Sequence, residues 1–109
     1  MYGLISTAAP EEDKNRPTQF VLSQNYPNPF NPITTIRYFL PKREKVKLEI
    51  FNLLGERVSV LAEEEQPAGE RTAVWDGKDK SGKSSPSGIY FYRLTGKDFL
   101  EAKKMIFLK

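Results

Sequence analysis

The chain has 109 residues, with 17 lysines and arginines, 14 aspartates and glutamates, and neither cysteine nor histidine. This composition excludes disulfide staples and cysteine-based metal sites, and it removes the side chain that most often serves as metal ligand and general base near neutral pH. The length fits one domain, and a net charge of +3 with interspersed signs does not indicate nucleic acid as a partner.

Residues 1–19 are predicted to be a linker or N-terminal extension, because a polar stretch lies between Pro10 and Pro17. No apolar run approaches the ~20 residues that span a bilayer, and Met1–Pro10 lacks the features of a secretory signal. We therefore expect no transmembrane segment, and we expect any export leader to lie on a preceding passenger. A second interpretation gives Met1–Thr7 a role in self-association, because its apolar side chains suit pairing with a sheet edge.

The domain is predicted to begin with a short strand at Phe20–Leu22, followed by a proline-rich segment that we call the rim segment. The rim segment consists of Asn25, Tyr26, Pro27, Asn28, Pro29, Phe30, Asn31 and Pro32. Three prolines in eight residues fix φ, remove backbone donors and exclude a helix. We predict a rigid, extended segment at an edge of a β-structure, held down by Tyr26 and Phe30.

A period of two in the apolar side chains predicts the next two strands. Within Thr34–Leu40 one face carries Ile36, Tyr38 and Leu40. In the following strand one face carries Val46, Leu48 and Ile50, and the other carries Lys45, Lys47 and Glu49. We therefore expect the first face of each strand in the core and Glu49 in water.

The second half of the chain continues this pattern. Leu53–Glu56 predicts a hairpin turn with positive φ at Gly55, and the strand resumes at Arg57–Leu61. A charged loop is predicted over Glu63–Gly69. The next strand places Arg71, Ala73 and Trp75 on one face, with Trp75 as the core anchor.

A long loop over Asp76–Pro86 separates that strand from the last two. Ile89–Leu94 is apolar at odd and even positions alike, except at Arg93, which predicts a central strand buried on both faces. The final strand is predicted over Ala102–Leu108. About seven strands without a helical period indicate an all-β fold, an immunoglobulin-like antiparallel β-sandwich, over residues 20–109.

Three groups of residues are candidates for chemical sites. Asp76–Gly82 resembles a calcium loop, but Lys78 and Lys80 occupy the alternate ligand positions, so we predict a structural turn in which Asp76 bonds to the backbone. Glu63–Glu65 and the serines Ser84, Ser85 and Ser87 lack any group that would orient them. We predict no catalytic residue, no metal, no cofactor and no enzyme activity.

The aromatic side chains allow two interpretations, a sugar-binding platform or the core. The residues concerned are Tyr38, Phe39, Phe51, Trp75, Tyr90, Phe91 and Tyr92. Because a small sandwich needs its largest side chains to fill the interior, we favour the core.

Five motifs in fixed order carry a resemblance to a known family. They are the rim segment, Leu53–Glu56, Trp75–Gly77, Ser87–Leu94, and the terminal segment Lys103, Lys104, Met105, Ile106, Phe107, Leu108 and Lys109. Together they resemble the type A C-terminal sorting domain of bacterial type IX secretion cargo, which is related to the immunoglobulin-like domain of flagellar hook-capping proteins.

This resemblance implies that the domain directs an N-terminal passenger across the outer membrane to the cell surface or the medium. The implied partners are an outer-membrane translocon, for which the terminal segment is the recognition candidate, and a sortase-like protease. Two alternatives stay open. The lysines of the terminal segment would merely solubilise an edge strand, or the domain would be a structural module of a surface assembly.

Overall fold

A computed structural model describes residues 19–109 of the chain. The predictions for the linker and for self-association through Met1–Thr7 fall, apart from Gln19, outside the described residues. Among residues 19–109, no helix is long and apolar enough to cross a membrane.

Seven antiparallel strands form two sheets, which confirms the all-β sandwich. The strands are β1 (Val21–Leu22), β2 (Thr34–Leu40), β3 (Glu44–Asn52), β4 (Arg57–Gln66), β5 (Gly69–Trp75), β6 (Gly88–Thr95) and β7 (Leu100–Phe107). Sheet I has the order β1-β2-β5, and sheet II has the order β4-β3-β6-β7. Strand β7 is therefore an edge strand of sheet II, next to the central strand β6.

The core lies between the two sheets and follows the predicted period of two. Its apolar members from β2 and β3 are Ile36, Tyr38, Leu40, Val46, Leu48 and Ile50, all at most 2% exposed. Trp75, Tyr90 and Tyr92 are also buried, whereas Phe39, Phe51 and Phe91 are half-buried on outer faces. Burying large aromatic side chains removes much apolar area from water and contributes strongly to stability.

The β3–β4 hairpin forms at the predicted turn. Gly55 has a φ of 85°, and its amide donates to the carbonyl of Asn52 at 3.0 Å. The Asn52 side chain closes the turn by accepting bonds from the amides of Leu54 and Glu56 at 3.0 and 2.9 Å. A residue with a side chain would be strained at Gly55, since positive φ is rarely adopted by L-residues.

The prediction of a charged loop over Glu63–Gly69 is wrong, because β4 extends to Gln66. Glu63 pairs with Lys47 in the register, and their charged groups lie 3.7 Å apart. Glu65 pairs with Lys45 and forms an ion pair with Arg43 at 3.3 Å. Opposite charges across the strands stabilise the pairing, so the acidic run remains in the sheet.

The prediction that β6 is buried on both faces is also wrong. Its inward residues Tyr90, Tyr92 and Leu94 are at most 4% exposed, but Ile89 on the outer face is 37% exposed. The strand is central within its sheet, yet among the described residues no layer covers the outer face. The apolar outer residues instead pair side by side, Phe91 with Phe51 and Ile89 with Ile106.

Candidate functional site

The rim segment and the terminal segment, far apart in sequence, meet at one corner of the sandwich. The Phe30 amide donates to the carbonyl of Ile106 at 3.0 Å, and the Leu108 amide donates to the carbonyl of Phe30 at 3.0 Å. The Ile106 amide donates to Oδ1 of Asn28 at 2.9 Å. The rim segment thus pairs with the outer edge of the last part of β7, and we call this junction the rim corner.

A buried polar network centred on Asn25 holds the rim segment in place. Asn25 is 2% exposed, and its Nδ2 donates to Oγ1 of Thr34 at 2.9 Å and to the carbonyl of Pro27 at 3.1 Å. The Thr34 hydroxyl donates to the same carbonyl at 2.9 Å. Because buried polar groups are costly when unpaired, this network specifies one path for the chain between β1 and β2.

Tyr92 links that network to sheet II. Its hydroxyl donates to the carbonyl of Ser23 at 2.7 Å and accepts a bond from the Asn25 amide at 2.8 Å. Burial raises the pKa of Tyr92 to about 12. The hydroxyl therefore keeps its proton at physiological pH and remains a donor.

Replacing Tyr92 by phenylalanine is expected to lower the free energy of unfolding by about 2 kcal/mol, because the Ser23 carbonyl and the Asn25 amide both lose a buried partner. Chemical denaturation measures the change. Tyr90→Phe, which removes one bond to the Pro86 carbonyl, is the matched control and should cost less. Equal costs for the two variants would contradict the linking role of Tyr92.

The rim segment is anchored by Phe30 but not by Tyr26. Phe30 is 1% exposed and stacks on Phe107 with ring centroids 4.8 Å apart, while its centroid lies 5.6 Å from that of Trp75. The prediction that Tyr26 also holds the segment down is wrong, because Tyr26 is 79% exposed. Its backbone forms the bridge to Thr35, which leaves the ring on the outer side of sheet I.

The other residues of the rim segment and the terminal segment range from buried side chains that anchor the corner to exposed side chains that a partner could contact. Met105 and Phe107 belong to the core, and Ile106 and Lys103 are half-buried. The exposed residues of the two segments, apart from Tyr26, are Pro27, Asn28, Pro29, Asn31, Pro32, Lys104, Leu108 and Lys109. A partner that reads the folded corner would contact these groups.

Two further residues, which the sequence did not place at this junction, also belong to the rim corner. Nε2 of Gln24 donates to the carbonyl of Lys104 at 2.7 Å, and the Lys109 amide donates to Oγ of Ser87 at 2.9 Å. Their partners lie 80 and 22 residues away in sequence. No local pattern could reveal these two hydrogen bonds, since they depend on the folded topology.

Glu49, predicted to face water, is 3% exposed. It lies on the outer face of sheet II between Arg93 at 3.1 Å and Arg57 at 3.2 Å. The guanidinium of Arg93 also lies 4.6 Å from the ring centroid of Phe51. Burial raises the pKa of Glu49, but hydrogen bonds from Arg93 and Arg57 outweigh burial, so the pKa is lower than that of a free glutamate.

Glu49→Gln is expected to destabilise the protein at pH 7 and to have a smaller effect at pH 3. A carboxyl whose pKa is lowered on folding contributes stability above its unfolded pKa, near 4.5, and this contribution is lost as the pH falls through the folded pKa. Denaturant unfolding of both proteins between pH 3 and 7 tests this. A difference independent of pH would contradict the ionic role of Glu49.

The loop Asp76–Gly82 has the structure of a turn. Oδ1 of Asp76 accepts a bond from the Lys78 amide at 3.1 Å, which is the predicted bond to the backbone. Oδ1 of Asp79 accepts bonds from the amides of Lys83 and Ser81 and from the Ser81 hydroxyl, and these bonds lower the pKa of Asp79. Within residues 19–109 no group of three or more acidic side chains is arranged to hold a metal ion.

Comparison with solved structures shows the same fold in two bacterial proteins from Porphyromonas gingivalis. Latent, dimeric PorU aligns with 82% of this chain at 24% identity and a TM-score of 0.67. PorZ, described as an essential surface component of the type IX secretion system, aligns with 94% of this chain at 15% identity and a TM-score of 0.52. The chain covers 9% of the PorU chain and 13% of the PorZ chain.

No curated protein matches the chain. The sequence model of the FlgD Ig-like domain, by contrast, matches residues 33–98, more than half of the chain. The matched segment runs from the start of β2 through the end of β6, and so includes the central strands of both sheets. The chain therefore belongs to the FlgD Ig-like domain family.

Proposed function

We propose that this domain is a non-catalytic sorting domain, which directs a passenger fused before it across the outer membrane through the type IX secretion system. In this proposal its partners are the outer-membrane translocon and a sortase-like protease, and the exported protein reaches the cell surface or the medium. The likeness of fold to PorU and PorZ supports this context. The lack of histidine and cysteine supports a domain that is a substrate of the machinery and not an enzyme.

The observation that carries the proposal is the rim corner. The two segments singled out by their sequence are joined there by three hydrogen bonds and by the stack of Phe30 on Phe107. A folded signal of this kind displays residues from distant parts of the chain together, so that a receptor recognises the fold and the sequence at once.

Exposed positive charge at the rim corner offers a receptor a site for electrostatic recognition. Lys104 and Lys109 are exposed and Lys103 is half-buried, while the nearest acid in β7 is Glu101. Surface charges of this kind contribute little to stability but strongly to the rate of association with a partner of opposite charge.

The charge-reversed variant Lys103→Glu with Lys104→Glu is expected to fold normally and to leave a fluorescent passenger in the periplasm. Fractionation of cells that express the fusion measures export. The matched control is Lys42→Glu with Lys97→Glu, which makes the same change of charge at exposed positions near the opposite end of the sandwich. Normal export of the first variant, with an unchanged melting temperature, would overturn the role of these lysines.

The second candidate function is a structural module of a surface assembly. It is favoured by membership of the FlgD Ig-like domain family and by the edge strands β4 and β5, which end their sheets on the same side of the sandwich. Sheet edges are ready sites for association with other chains. The mass in solution distinguishes the two, because a sorting domain is expected to be monomeric at micromolar concentration, whereas an assembly module is expected to form oligomers.

A further inference from the structure

The outer edge of β7 is closed in one half and open in the other. From the Lys104 carbonyl onward the outward backbone groups are bonded to Gln24, Asn28 and Phe30. In an antiparallel strand every second residue directs both its N–H and its C=O group to the same edge of the strand. Ala102 and the amide of Lys104 therefore also face outward, and neither is bonded on that side to any residue of 19–109.

A depression in the outer face of sheet II lies directly beside this open edge. It is lined by Phe51, Asn52, Leu53, Gly55, Phe91, Arg93 and Ala102. Ala102 pairs with Arg93 in the register of β6 and β7, and it is the small residue between Arg93 and the open edge. A long side chain on an added strand could pass over Ala102 and reach Arg93.

Arg93 presents a partly exposed guanidinium to such a side chain, since 39% of its side chain is exposed. One of its terminal nitrogens bonds to Glu49, but its Nε is buried and has no hydrogen-bond partner among the described residues. A buried donor without a partner costs free energy, and a carboxylate is the acceptor that a guanidinium binds best. Near the depression the charged side chains are Arg57, Arg93 and Lys104 against Glu49, and farther along the same face Lys45 and Lys47 are matched by Glu65 and Glu63, so the balance is positive.

We propose that the open half of β7, residues 100–104, takes up an extended strand of a partner that carries carboxylate side chains at alternate positions. The partner's backbone pairs with Ala102 and the Lys104 amide, one carboxylate crosses Ala102 to the exposed part of the Arg93 guanidinium, and the next faces Lys104. We assign this partner to the secretion machinery, and that assignment rests on the proposed function. The chemistry of the surface does not depend on it.

Binding of short peptides to the full chain tests the surface. The probes are an end-capped octapeptide of alternating glutamate and valine and the same peptide with glutamine in place of glutamate. Amide chemical shifts, followed by NMR, are expected to change around Ala102 and Lys104, and the glutamate peptide is expected to bind about tenfold more tightly, as one charge-assisted bond allows.

Two substitutions at Ala102 separate backbone pairing from the side-chain contact. Ala102→Pro removes the outward amide, a change that edge strands accommodate, and is expected to abolish binding. Ala102→Ile keeps the amide but fills the path to Arg93, and it should remove the preference for glutamate. Thr72→Ile, at an exposed strand position of sheet I, is the matched control and should bind as the parent does.

Three results would overturn the inference: equal affinity for both peptides, shift changes located away from residues 100–104, or full binding by a folded Ala102→Pro variant. If Ala102→Pro fails to fold, the peptide preference of Ala102→Ile alone tests the inference, since isoleucine suits an edge strand. Failure here is separate from failure of the proposed function, because the peptides are tested on purified protein with Lys103 and Lys104 intact, whereas the export assay measures a passenger in cells.

Discussion

Replacing Trp75 by alanine is expected to lower the free energy of unfolding by about 3 to 5 kcal/mol. The indole is 1% exposed and lies in an aromatic cluster with Phe30, Tyr90 and Phe107, at centroid distances between 5.2 and 6.1 Å. Its Nε1 also donates to the carbonyl of Lys78 at 2.9 Å. Truncation would remove these contacts, leave a cavity between the sheets and deprive a loop carbonyl of its donor.

Denaturant unfolding, followed by far-ultraviolet circular dichroism, measures the loss. Val74→Ala is the control, because Val74 is the adjacent residue but is 55% exposed, so its truncation should cost far less. A Trp75→Ala variant as stable as the parent would contradict the placement of the indole at the centre of the core. It would also favour the interpretation of the aromatic residues as a sugar-binding platform.

Gly77→Ala is expected to cost about 3 kcal/mol, for two separate reasons. Gly77 has a φ of 75°, which side-chain-bearing residues rarely adopt. In addition, a Cβ at this position would lie 2.8 Å from Cζ of Phe107 and 3.3 Å from the carbonyl oxygen of Pro32. The added methyl group would push Phe107 away from Phe30 and so loosen the rim corner.

Gly82→Ala is the matched control for the backbone effect. Gly82 has a φ of 83° in the same loop, but no atom lies within 4 Å of its would-be Cβ. It should therefore cost only the penalty of positive φ, roughly 1 kcal/mol. Thermal or denaturant unfolding of both variants gives the difference, and equal losses would show that contact with Phe107 is not the cause.

The sequence predicts those parts of the fold that depend on neighbours along the chain. The alternation in β2 and β3, the turn at Gly55 and the burial of Trp75 follow from local pattern and residue size. Glu63–Glu65 misled the prediction because three acids indicate solvent, whereas the lysines that keep them in a strand lie on β3, well before them in the chain. Glu49 misled it for a similar reason, since Arg93 is 44 residues away.

Much less of the candidate site could be predicted. The motifs pointed to the rim segment and the terminal segment separately, but their contact depends on Phe30 meeting Ile106 and Phe107 across the whole domain. The network of Asn25 and Tyr92 likewise joins residues 67 positions apart. Such contacts follow from the order of strands in the sheets, which a two-residue period does not encode.

The stack of Phe20 on Phe99, with ring centroids 3.7 Å apart, fixes where the chain enters the sandwich. This point lies at the start of β7, whereas the rim corner lies at its end, about 25 Å away for a strand of eight residues. At Phe20 the chain therefore lies one strand length away from the exposed groups of the rim corner. A partner that contacts only the rim corner would not meet the chain at this point of entry, so the two ends of the domain can make separate contacts.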